Sequence, residues 1–251
     1  MYFGVQGDYF MANTTITWLG HASFLFVTPE GKRIVLDPWY EGNPSFPESA
    51  KAELEHVDAI LLTHGHMDHT GNAITLAQQT KAPVAGIVEL IGWVQGQGVD
   101  ATQCIGFNKG GCIELAGIKA TLTTAHHSSS ISSGSISLYL GDPCGFILEF
   151  SDGCVVYHTG DTCVHGDMAL MGEIYQPNVT ILPIGDFYTM GPRQAAHALK
   201  LIGSKFAIPE HYGTFPALHG NPEALQSELN KLQLNTAIVA LQPGEAWTYP
   251  A

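Results

Sequence analysis

Positive charge is what this sequence has least of. Ten Lys and Arg stand against twenty-three Asp and Glu, a net charge of −13. A nucleic-acid surface needs clustered Lys and Arg, and an anionic membrane surface needs a polybasic patch; neither is written here. Charge of either sign is sparse, 13% of residues against 45% apolar, which excludes a solvated disordered chain and indicates a packed globular one. Long apolar runs are missing, with nothing near the roughly twenty residues of a transmembrane helix. Met1–Phe10 has no basic n-region and no apolar core, so it does not read as a secretory signal. The five cysteines, an odd number, contain no C-x-x-C pair. Reduced structural thiols in the cytoplasm are the expectation.

Against these absences stands one dense stretch, Thr63-His64-Gly65-His66-Met67-Asp68-His69, behind the apolar run Val57–Leu62. Neutral imidazole and carboxylate suit zinc and its divalent neighbours. In an extended segment residues two apart share a side, so His64 and His66 can grip one ion. Asp68 and His69 lie past a bend, with Gly65 and Gly71 giving the backbone freedom to turn, and can face a second. The bland alternative is a polar, His-rich surface loop. Four candidate ligands at this spacing behind a buried-type strand favour a two-metal site.

H-x-H-x-D-H after a strand resembles the signature of the metallo-β-lactamase superfamily, an αββα sandwich of metal-dependent hydrolases. Further segments resemble one branch of it, metal-dependent hydrolases related to ascorbate-phosphate lactonases: Ala125-His126-His127-Ser128-Ser129, Gly160-Asp161-Thr162, Pro183-Ile184-Gly185-Asp186-Phe187-Tyr188-Thr189-Met190-Gly191-Pro192, and His211-Tyr212-Gly213-Thr214-Phe215-Pro216. Matched motifs run from Leu19 to Gly244. The resemblance implies a four-layer αββα sandwich over residues 13–251. Residues 1–12 read as an N-terminal extension, with Met11 an alternative start.

The local patterns are compatible with that fold. Thr14–Leu19, Ser23–Val27 and Arg33–Leu36 read as strands, followed by a short helix near Ser49–Leu54. Asn72–Thr80 and Ile87–Gln95 read as helices around a strand near Val84. Cys112–Leu115 and Ile118–Thr124 read as a hairpin, Ser128–Gly134 as a mobile loop at the rim, and Ile136–Leu140, Gly145–Phe150 and Cys154–His158 as strands. Helices are expected over Val164–Ile174, Arg193–Ile202 and Glu223–Leu232, and strands over Val179–Leu182, Lys205–Ile208 and Ala237–Leu241. Strand-then-helix alternation fits one layered domain without a clear internal repeat.

The resemblance assigns His64, His66 and His127 to a first ion, Asp68, His69 and His211 to a second, and Asp161 to a bridge. His126 is the alternative to His127 and otherwise a neighbour of the site. Asp37 either positions a metal-bound histidine through its other nitrogen or simply caps a strand. His21 lies near the site or serves its turn. The segment with Asp186 and Tyr188 is expected to line the pocket. No thiolate enters the set, so Zn²⁺ or Mn²⁺ is expected, with Fe²⁺, Co²⁺ or Ni²⁺ acceptable.

Two such ions lower the pKa of a shared water, and a bridging hydroxide would attack a small ester, lactone or phosphodiester. Asp68, Tyr188 or Tyr212 is the candidate proton donor to the leaving group, the tyrosines otherwise being packing residues. The alternative reading is a catalytically silent metal-dependent ligand sensor. A nuclease is disfavoured by the acidity and by the absence of a large inserted domain. A small-molecule substrate is the expected partner, and the composition permits a homo-oligomer.

Overall fold

Apolar side chains alternate along the strands, and the alternation is what builds the layers. In Phe24–Val27, Phe24 and Phe26 face one core while Leu25 faces another; Ile34 and Leu36 are split from Val35 in the same way. With a period of two, the central strands bury both faces.

The computed structural model describes residues 13–250. The expected extension over residues 1–12 lies outside them. The first half supplies strands β1 (Thr15–Trp18), β2 (Phe24–Val27), β3 (Arg33–Leu36), β4 (Ala59–Leu61), β5 (Val84–Ile87) and β6 (Cys104–Phe107). Helices α1 (Met67–Thr70), α2 (Ala73–Thr80) and α3 (Val88–Gly96) fall among them. The second half supplies β7 (Cys112–Leu115), β8 (Ile118–Thr124), a hairpin of β9 (Ser130–Ser133) and β10 (Ile136–Tyr139), then β11 (Cys144–Glu149) and β12 (Val155–His158). After these come α4 (Met168–Tyr175), β13 (Val179–Pro183), α5 (Pro192–Ile202), β14 (Phe206–Glu210), α6 (Pro222–Lys231), β15 (Ala237–Ile238) and β16 (Ala246–Thr248).

Two seven-stranded sheets result, ordered β16-β1-β2-β3-β4-β5-β6 and β15-β14-β13-β12-β11-β8-β7. The first runs through three antiparallel pairings and then three parallel ones, from β16 to β6. Read from β7, the second repeats that pattern. The halves are thus topological equivalents, although no repeat is visible in the sequence. Phe24, Phe26, Leu36 and Leu61 of one sheet meet Leu122, Phe146, Val156 and Ile181 of the other in the central core. The outer face of the first sheet is covered by α2 and α3 through Leu76, Leu90 and Val94. That of the second is covered by α4, α5 and α6 through Met168, Leu199 and Leu225. This is the four-layer αββα arrangement. No helix among the described residues is long and apolar enough to cross a membrane.

Several local expectations are corrected. The short helix expected near Ser49–Leu54 is a 3₁₀ helix over Glu48–Leu54. The α4 helix begins at Met168 rather than Val164, and β15 stops at Ile238. Residues 130–133, expected in a loop, pair with Ile136–Tyr139. Two strands were not legible: β6, interrupted by Gly106, and β16, which is half-exposed and closes the first sheet against β1. Both are short edge strands whose partners, not their composition, make them strands.

Candidate metal centre

Chain ends of the central strands converge at one rim between the sheets. Leaving β4, the chain passes Thr63 and His64, bends at Gly65 and is extended again at His66, and α1 then carries Asp68 and His69. His127 follows β8, Asp161 follows β12, and His211 follows β14. The glycines here answer to space as much as to freedom. A Cβ on Gly65, where the chain bends, would sit 2.7 Å from Leu140 Cδ1, so close packing as well as the bend asks for glycine there. Gly160 is left-handed at φ +63, and a Cβ there would collide with the Cys144 carbonyl oxygen. Three non-glycine residues at the site also have positive φ: His21 (57°), Asp37 (48°) and His211 (54°). Such strain collects where function over-determines the backbone.

His64, His66 and His127 form one group with ligand atoms mutually within 4.8 Å, and His21, Asp68, His69 and His211 form another. Asp161 stands between them. Its Oδ2 is 3.6 Å from His127 Nε2, 3.4 Å from His69 Nε2 and 3.2 Å from His211 Nε2. Asp37, His64 and His69 are a third close set, but the Asp37 oxygens are already engaged. They accept from Thr63 N–H at 2.8 Å, from the Thr63 hydroxyl at 2.5 Å and from His69 Nδ1 at 2.7 Å.

The donor set fits divalent metal. With the Thr63 hydroxyl proton given to Asp37, His64 Nδ1–H donates to Thr63 Oγ1 at 3.0 Å, leaving Nε2 a lone pair. That Nε2 lies only 2.9 Å from His66 Nδ1, while His66 Nε2 approaches Ser128 Oγ at 3.4 Å. The two ring nitrogens share a hydrogen bond at that distance, and an ion held by both would take the place of its proton. His69 Nε2 and Asp161 Oδ1 are buried without a hydrogen-bond partner, a condition native structures rarely leave unexplained.

Electrostatics separate the two groups. Burial, then neighbouring imidazoles, hold His64 well below the ordinary histidine range, and burial lowers His66 and His127 as well. These are neutral imidazoles, the state that ligates metal. Burial also pulls His69 and His211 down, but Asp161 and the other carboxylates more than reverse it, leaving both raised. Burial would push Asp161 up, yet His211 and His69 hold it well below the carboxylate range. Asp68 is likewise opposed by burial and held well below that range by His21 and His69. Both carboxylates are ionised.

The remaining expected residues divide. Asp37 sits behind His69, as described. Tyr188 lines the cleft above the ligands together with His66, Asp68, His127, Ser128, Asp161, His211, Phe215, Pro216 and Ala217. Asp186, Tyr212 and His126 do not line it. Asp186 turns its carboxylate to the Phe187 N–H at 2.8 Å. Tyr212 stacks on Trp18 with ring centroids 5.2 Å apart, and burial pushes its phenol up to about 12. Its ring packs into the core, so it is corrected from pocket wall and proton donor to packing residue. His126 stacks on His165, centroids 4.5 Å apart, and faces away from the cluster that His127 enters.

His21 is closer to the ligands than its sequence position suggests. Its Nε2 is 2.9 Å from Asp68 Oδ2 and its Nδ1 2.9 Å from Thr214 Oγ1. The pattern Gly20-His21-Ala22-Ser23, a histidine in a tight turn, was the available signal. Thr63 and Thr214 gave none, since a supporting threonine looks like any other. His158 and Glu210 were also unmarked: both are fully buried, with Nε2 and Oε2 3.3 Å apart, tying the end of β12 to the end of β14.

Known proteins resemble this chain closely. A family model described as a beta-lactamase superfamily domain matches residues 32–212. A UPF0173 metal-dependent hydrolase of Chloroflexus aurantiacus is 51% identical over 235 residues, covering 93% of this chain and 97% of that protein. One from Methanopyrus kandleri is 43% identical over 233 residues, covering 92% of this chain and 98% of that protein. Among solved structures, a metallo hydrolase from Ignicoccus hospitalis aligns with a TM-score of 0.82 at 33% identity, over 95% of this chain and 99% of that one.

Proposed function

We propose a reaction for this chain from the premise that it belongs to the β-lactamase superfamily, among the UPF0173 metal-dependent hydrolases: hydrolysis of a small ester, lactone or phosphodiester at a dinuclear centre. The observation that carries the reading is the position of Asp161, one oxygen of which lies within 3.6 Å of His127 and of both His69 and His211. A carboxylate so placed joins two ligand groups into one centre. His64, His66 and His127 would hold one ion, Asp68, His69 and His211 the other, with Asp161 between. Zn²⁺ or Mn²⁺ suits these nitrogen and oxygen donors. When bound, the pair supplies an acidified water and Lewis-acid polarisation of the electrophilic oxygen.

The residues' own tasks follow from their protonation. The water oxygen bonds to carbon or phosphorus, the bond to the leaving oxygen breaks, and that oxygen takes up one proton. Asp68, ionised and braced by His21, is a proton acceptor at the start of the reaction, not a donor. Having taken the water's proton it can return it to the leaving oxygen. Tyr188 borders the same cleft and offers a phenol to orient the substrate. Asp37 fixes the His69 ring so that Nε2 faces inward.

The test strips the protein with chelator and restores Mn²⁺ or Zn²⁺ against a phosphodiester, a lactone and a carboxyl ester. Metal-restored turnover that collapses by orders of magnitude in Asp161→Ala, with the fold intact by circular dichroism, is the expected result. Two bound ions without turnover of any class would overturn it in favour of a silent sensor.

A further inference from the structure

The cleft over the ligands has a volume of about 770 Å³ and an uneven chemistry. Its floor is histidine and aspartate. Its wall is Tyr188, Phe215, Pro216 and Ala217, and neither Lys nor Arg lines it. Ser128 and the Tyr188 phenol are the polar groups beyond the floor.

Tyr188 and Phe215 are 59% and 39% exposed; Phe187, next to Tyr188 in sequence, is 68% exposed, and Met67, between His66 and Asp68, is 63% exposed. Tyr188 is also held there at a conformational cost. Asp186 and Phe187, consecutive and neither of them glycine, have φ of 67° and 63°. The turn is pinned by Tyr188 N–H to the Asp186 carbonyl at 2.7 Å and by Asp186 N–H to the Met190 carbonyl at 3.0 Å. A strained turn that presents an aromatic ring to water gains from a ligand that covers it.

We propose that this wall selects the non-reacting part of the substrate: an uncharged, apolar group, an aromatic ring or branched alkyl chain, seated against Tyr188, Phe215, Pro216 and Ala217. This deepens the hydrolase reading and rests on it for the bond that is cut, not for the group that is bound. A phosphorylated or carboxylated substituent seated on this wall would give up hydration and find no Lys or Arg beside it in return. A ring would gain stacking and area burial.

Binding is measured apart from turnover. Metal-loaded protein is titrated by saturation-transfer NMR with 3-phenylpropanamide and with its 4-carboxyphenyl counterpart, amides that lack an ester bond. The neutral amide should bind about tenfold more tightly or better. Phe215→Ala should cut that preference severalfold, and Ala217→Lys, which places an ammonium in the wall, should reverse it. Equal or tighter binding of the carboxylated amide, no detectable binding of either, or a preference untouched by both variants would overturn the proposal. The two readings fail separately. A neutral preference without turnover of any ester sinks the hydrolase reading alone, while turnover favouring charged substituents sinks the cleft alone.

Discussion

His21 braces Asp68: the imidazole Nε2 lies 2.9 Å from Asp68 Oδ2. The same residue reaches a second ligand, its backbone carbonyl accepting the His211 N–H at 3.0 Å. With the Thr214 hydroxyl donating to Nδ1, the proton sits on Nε2 and points at the carboxylate. His21 therefore orients Asp68 and His211, two of the residues proposed to hold one ion.

His21→Ala should lower affinity for the more weakly held ion by about 10–100-fold, the usual consequence of losing a partner that orients a ligand. Titration of chelated protein with Zn²⁺, followed by calorimetry, reads the two ions as separate events. An unchanged second event would contradict the bracing role.

Asp37 is fully buried and takes three hydrogen bonds, two from Thr63 and one from His69. Removing it strands two buried donors and a raised imidazole. Asp37→Ala should cost on the order of 3–5 kcal/mol, as for other buried pairs broken on one side. Denaturant unfolding of the metal-free protein measures it; a loss below about 1 kcal/mol, the range of exposed pairs, would rule the anchor out.

Acid should destabilise the metal-free protein through His21. Burial first, then His211, pushes its imidazole down from 6.5 to about 4, against the pull of Asp68. Between these values the unfolded chain binds a proton that the folded one refuses, so stability rises with pH. The contribution is fully present above about pH 6.5 and lost as pH falls towards about 4, amounting to ~3 kcal/mol. His21→Gln should show a flatter acid limb than wild type in denaturant midpoints taken from about pH 7 to 4.5. Parallel curves would refute the assignment.

The cysteines should sort by position. Cys112 and Cys163 are exposed and Cys104 half-buried, while Cys144 and Cys154 are buried in the inter-sheet core. Burial raises both core thiols, and Cys144 donates to the Thr63 carbonyl at 2.9 Å. Alkylation at neutral pH, mapped by mass spectrometry, should label Cys112 and Cys163 first and Cys104 more slowly. Labelling of Cys144 or Cys154 before unfolding would mean that the sheets part more readily than this packing allows.

The sequence by itself determined what local geometry determines. β-Branched and aromatic runs bounded by turn signals marked most strands, and Pro192 marked the start of α5. His64 and His66, two apart in the chain, were bound to lie close together. Tertiary structure decided the rest. A one-residue change of register exchanges the faces of a strand, so only the placement of β8 against β11 sends His127 to the ligands and His126 to His165. His21, His127, Asp161 and His211 meet because four strand ends reach one rim, and Tyr212 leaves the pocket because Trp18 offers it a stacking surface. Those contacts join residues far apart in the chain, and no local pattern encodes a distance between them.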